Sequence, residues 1–98
     1  MTNSCDFDCT AKTLKAIAQP LRLKILCTLN TQELTVAEIV RRTSATQSNI
    51  SQHLIMLREL GILDARRDAN RVYYRVDNPG LLEIIRMMRE VYCGNEAA

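Results

Sequence analysis

Apolar residues recur at helical spacing along most of the chain and change to alternation only once. From about Asp8 to Ala18, Leu14, Ile17 and Ala18 make a short helical stripe. Gln19-Pro20 interrupts it, and Pro20 suits the first turn of a second helix, LRLKILCTL. That helix places Leu21, Ile25 and Leu29 on one stripe, with Leu23 and Cys27 on the next. Thr35-Val36-Ala37-Glu38 has the spacing of a capping box and opens a third, short helix carrying Ile39 and Val40. After a tight connection at Thr43-Ser44-Ala45, Thr46 caps a fourth helix that runs to Leu60, with Gly61 as its left-handed stop.

Beyond Gly61 the period shortens. DARRDANRVYYRV reads as two strands around Asp68-Ala69-Asn70, with Val72, Tyr74 and Val76 on one face and Tyr73 and Arg75 on the other. Asn78-Pro79-Gly80 ends this hairpin, and Leu81 to Cys93 form the last helix. Its apolar set, which includes Leu81, Ile84, Ile85, Met88 and Val91, covers an arc of roughly 220° at about 100° per residue. One core-facing stripe needs far less, so this helix calls for a second subunit as well as its own core.

The 98 residues suit one domain, spanning 1–98 with a polar, mobile arm over 1–10. Hydrophobic content is 47%, yet Trp is absent and Phe occurs once, so aliphatic side chains must fill the core. The formal charge of +2 is too small to identify a nucleic-acid partner, although a dimer would double it. No stretch approaches the roughly 20 apolar residues of a membrane helix. MTNSCDFDCT lacks the regions of a signal peptide, so the expected location is the cytoplasm, where the four cysteines rest as thiols. No nucleophile and general base can be paired, which argues against an enzyme, and no cofactor is expected.

Short helix, tight turn, second helix and basic hairpin follow one another as in a winged helix-turn-helix. The predicted fold is mainly α: five helices and a two-stranded wing. On the fourth helix Ile50, Leu54 and Leu57 share one face, with Leu60 as a further anchor. Ser48, Ser51 and Gln52 lie opposite, flanked by Gln47 and Asn49. A recognition helix presents its first residues to the major groove, where Gln and Asn can pair with adenine edges and Ser can donate or accept. Arg66, Arg67 and Arg71 of the hairpin can reach phosphate or minor groove. The competing reading is a solvated helix face on a winged-helix protein-interaction module.

IAQPLRLKIL, LTVAEI, QSNISQHLIMLRELGIL and ARRDANRVYYRV resemble the ArsR/SmtB family of dimeric bacterial repressors, over roughly residues 11–92. The resemblance implies a homodimer, built through the first and last helices, that binds double-stranded operator DNA, an inverted repeat, until an inducer relieves it. The family's common metal positions are not matched. Thr35 and Ala37 stand where arsenic-type members carry thiols, and the last helix has no His. The lone His53, inside the recognition helix, reads as structural or DNA-proximal.

Cys27 and Cys93 remain. By spacing alone Cys27 reads as a small buried hydrophobe and Cys93 as a frayed helix end. The pair is similar to that of the persulfide-responsive repressors related to SqrR, BigR and HlyU. That likeness implies a thiol sensor in which reactive sulfur species join the two and DNA is released. Cys5 and Cys9, four apart, can meet on one helical turn as auxiliary thiols. A response to As(III) or another metalloid through them is the alternative, although two thiols leave a tetrahedral site incomplete.

Overall fold

The computed structural model describes the backbone of residues 4–94 and the side chains of residues 6–94. Five helices run in the order α1 (Ser4–Ile17), α2 (Pro20–Leu29), α3 (Val36–Thr43), α4 (Gln47–Glu59) and α5 (Gly80–Tyr92). Strands β1 (Leu34–Thr35), β2 (Leu63–Asp68) and β3 (Arg71–Val76) form an antiparallel sheet in the order β1-β3-β2.

The helix starts follow the predicted local chemistry. Gln19 accepts from the Arg22 amide at 2.9 Å ahead of Pro20, and Thr46 accepts from the Asn49 amide at 3.2 Å. Thr35 and Glu38 complete the capping box, the Thr35 amide donating to Glu38 Oε1 at 2.8 Å. Each such contact satisfies an amide that the helix itself leaves without a partner. Gly61 stops the turn after α4 at φ +79°, a region that only glycine enters without strain.

Two elements differ from the sequence reading. α1 begins at Ser4 rather than near Asp8, so most of the segment read as an arm is helical. The wing has a third strand: Leu34 pairs with Tyr74 and Thr35 with Tyr73, on the edge of the hairpin that β2 leaves open. A two-residue strand carries no periodicity to detect, and only the partner strand defines it.

The core is aliphatic. Ile25, Leu26, Leu29, Ile39, Ile50, Leu54 and Leu57 are fully buried, joined by Leu34, Leu63, Tyr74, Val76 and Ile85. The buried hydroxyl of Thr43 donates to the Ile39 carbonyl at 2.8 Å, so it costs the core no unpaired polar group. Two further expectations are corrected. Leu60 is 42% exposed instead of anchoring α4, and it borders Thr13, Leu81 and Ile84. Ile85, counted with the apolar surface of the last helix, is 5% exposed and belongs to the protomer's own core. Phe7 and Leu14 on α1, and Ile84, Met87, Met88, Val91 and Tyr92 on α5, stay between 46% and 80% exposed. No helix among the described residues is long and apolar enough to cross a membrane.

Candidate nucleic-acid interface and thiol pair

The core face of α4 determines what its other face presents. With Ile50, Leu54 and Leu57 turned inward, Gln47, Ser48, Asn49 and Gln52 are exposed and Ser51 is half-buried. These groups occupy the first two turns of a helix that follows α3 after a three-residue turn, in which Ser44 takes φ +62°. Ile55, also exposed, continues the line of Ser48 and Gln52. It adds an apolar group of the kind that meets a thymine methyl.

The three hairpin arginines are not equivalent. Arg66 shares the outer face of the sheet with Tyr73, its cross-strand partner, and its guanidinium stacks 4.8 Å from the ring centroid. The pairing of β1 with β3 then brings Glu33 alongside. Arg66 Nε donates to both Glu33 oxygens at 2.9 and 3.0 Å, and a second nitrogen lies 2.9 Å from Oε1. This hydrogen bond holds the Glu33 carboxyl below its ordinary value and the guanidinium above its own. Arg66 thus ties the wing to the segment between α2 and α3. Arg67 and Arg71, at the wing tip, are exposed and make no ion pair among the described residues. Arg71 also faces Arg41 of α3 across an open groove. Arg41 and Arg42 were not among the predicted contacts. The helix-turn-helix order was the available signal, since the first helix of that motif crosses the phosphate backbone.

His53 has a structural partner. Arg22 Nε donates to His53 Nδ1 at 3.1 Å, while its Nη1 donates to the Ala16 carbonyl at 2.8 Å. One guanidinium therefore links the end of α1, α2 and the recognition helix. The imidazole accepts at Nδ1, so it is neutral in this arrangement. Burial, and secondarily the Arg22 charge, hold its pKa below 6.5. As pH falls the unfolded chain takes up this proton first. The stability His53 contributes is then complete above about pH 6.5 and is lost as pH drops through the folded-state value. Urea unfolding from about pH 8 down to 5 should show this loss in the native chain and a flatter profile in His53→Gln. Equal slopes would assign the acid sensitivity to other groups.

Cys27 is exposed on α2, which corrects the buried reading of that thiol, and Cys93 is exposed at the end of α5. An open hollow of about 480 Å³ beside Cys27 is walled by Leu23, Lys24, Thr28, Ile85 and Arg89. A second, more apolar hollow of about 360 Å³ includes Cys93 and shares Leu23, Ile85 and Arg89 with the first. Both thiols therefore open onto the same seam between α2 and α5. Cys9 is exposed on α1 and lines neither hollow, and the side chain of Cys5 lies outside the described residues. Among the described residues no three His, Cys, Asp or Glu side chains gather where they could hold a metal ion.

Known proteins share this sequence and fold. The chain is 42% identical over 84 residues to the HTH-type transcriptional regulator YgaV of Escherichia coli K12, covering 85% of each. It is 36% identical over 83 residues to the biofilm growth-associated repressor of Agrobacterium fabrum, covering 85% of this chain and 71% of that one. The structure of HlyU from Vibrio cholerae superposes with a TM-score of 0.81 at 34% identity, over 93% of this chain and 99% of that one. Residues 19–65, from the cap of α2 into β2, match the family of bacterial regulatory proteins described as arsR. With its winged helix-turn-helix and these relatives along nearly its whole length, the chain belongs to the ArsR family of DNA-binding transcription regulators.

Proposed function

We propose that the protein is a dimeric cytoplasmic repressor that binds an inverted-repeat operator and releases it when persulfide or polysulfide joins Cys27 to Cys93. The observation that carries this reading is the common seam. Two exposed thiols, on helices far apart in sequence, border hollows that share three side chains. The relative from Agrobacterium fabrum, itself named a repressor, supports the direction of control.

In this reading Gln47, Ser48, Asn49, Ser51 and Gln52 read base edges, while Arg67 and Arg71 meet phosphates with Arg41 beside them. Arg66 holds the wing in place. Binding measured across operator variants and salt concentrations separates these roles. Gln52→Ala or Asn49→Ala should relax preference at one base pair, by about 1–3 kcal/mol. Arg67→Ala or Arg71→Ala should weaken all sequences alike and reduce the salt slope by about 1. Arg66→Ala should lower affinity through a displaced wing while the slope is retained. Sequence preference that moved with the arginines and ignored Gln52 and Asn49 would reverse the assignment.

A further inference from the structure

The hollow beside Cys27 carries a charge that thiol chemistry alone does not require. Its walls contain two cations, Lys24 and Arg89, and no carboxylate. On the same helix Arg86 is paired with Glu83 at 2.8 Å and Glu90 at 2.6 Å, whereas Arg89 has no ion pair among the described residues. Lys24 donates one hydrogen bond, to the Thr43 carbonyl at 3.1 Å, which leaves further ammonium protons. At about 100° per residue, Arg89 and Cys93 fall on one flank of Ile85, and Ile84, Met88 and Val91 on the other. Arg89 stands at the border between the two, since it lines both hollows.

We propose that Lys24 and Arg89 make this hollow an anion-capture site, which draws inorganic polysulfide and carboxylate-bearing persulfides to Cys27 ahead of neutral oxidants such as hydrogen peroxide. The assignment of polysulfide as the ligand rests on the function proposed above; the anion preference does not. In the capture step the Cys27 sulfur attacks a sulfane sulfur of the polysulfide anion. One S–S bond forms as another breaks, and the shortened polysulfide leaves with the electron pair while the thiol proton is released to it. Two like cations within reach raise the local concentration of an anion and its encounter rate, and salt screens both.

The test compares two alkylating agents of the same reactivity class, anionic iodoacetate and neutral iodoacetamide, at Cys27 of the reduced full chain. Peptide mass spectrometry reads both rates. Any change in thiol reactivity cancels in their ratio, which isolates attraction of the anion. The iodoacetate-to-iodoacetamide ratio should fall about three- to ten-fold in Arg89→Gln, and fall similarly for the native chain in about 1 M salt. A ratio unmoved by both changes overturns the capture site. Polysulfide is then applied to the same two proteins. A polysulfide-to-peroxide rate ratio at Cys27 that falls in Arg89→Gln identifies the ligand class. If the ratio responds but polysulfide never modifies Cys27, the anion site stands and the sulfur-sensing reading falls.

Discussion

Cys27→Ser and Cys93→Ser should each bind operator DNA like the native chain and stay bound after polysulfide treatment that releases the native protein. The two thiols sit on α2 and α5, and α2 is tied to the recognition helix by the Arg22–His53 hydrogen bond. A covalent link across the α2–α5 seam can therefore bias where α4 lies. Coupling of this kind is typically worth a 5- to 150-fold change in affinity, so the native chain should lose about that factor. The sulfur balance allows more than one product. A persulfide on Cys27 attacked by the Cys93 thiol gives a disulfide and releases hydrogen sulfide. Persulfides on both give a trisulfide and release hydrogen sulfide likewise. A direct disulfide needs Cα atoms within about 7 Å, while an inserted sulfur spans more. Cys9→Ser should respond like the native chain, since that thiol is on α1 and lines neither hollow. Electrophoretic mobility shifts with and without polysulfide decide the matter. Release that survives loss of Cys27 or Cys93 but disappears with Cys9 would move the sensor to α1 and favour the metalloid alternative.

Met88→Glu should yield a folded monomer whose operator affinity falls by a factor on the order of 10² to 10⁴, the advantage lost when two linked half-site contacts become one. Met88 is 49% exposed within a continuous apolar surface that includes Leu14 and Ile84. Against a second subunit its replacement would bury an unpaired charge, which is costly. In the isolated protomer the same charge stays in water. Ile85→Glu is the informative contrast, because Ile85 lies in the protomer core and its replacement should unfold the chain. Sedimentation and circular dichroism on both variants separate the two effects. A native chain that sediments as a monomer at micromolar concentration would overturn the dimer.

Features that rest on neighbours a few residues apart are readable along the chain. Capping at Thr35 and Thr46, the stop at Gly61, the period of α4 and the alternation of β3 are local, and each was legible before the chain was folded. So was the polar start of the recognition helix, because burial of Ile50, Leu54 and Leu57 leaves it no other side to face. Features that rest on distant partners emerge only when the helices and strands pack. Arg66 reads as one basic residue among three until β1 joins the sheet and sets Glu33, 33 positions away, beside it. His53 gains its role from Arg22, 31 positions away. In α5 every apolar residue looks equal along the chain, and only docking against α2 and the core buried Ile85 while leaving Met88 outside. The same docking left Cys27 exposed and placed Arg89 beside both thiol-lined hollows. Periodicity specifies which face of a helix turns inward; it carries no information about which charge, ring or thiol the packed face will meet.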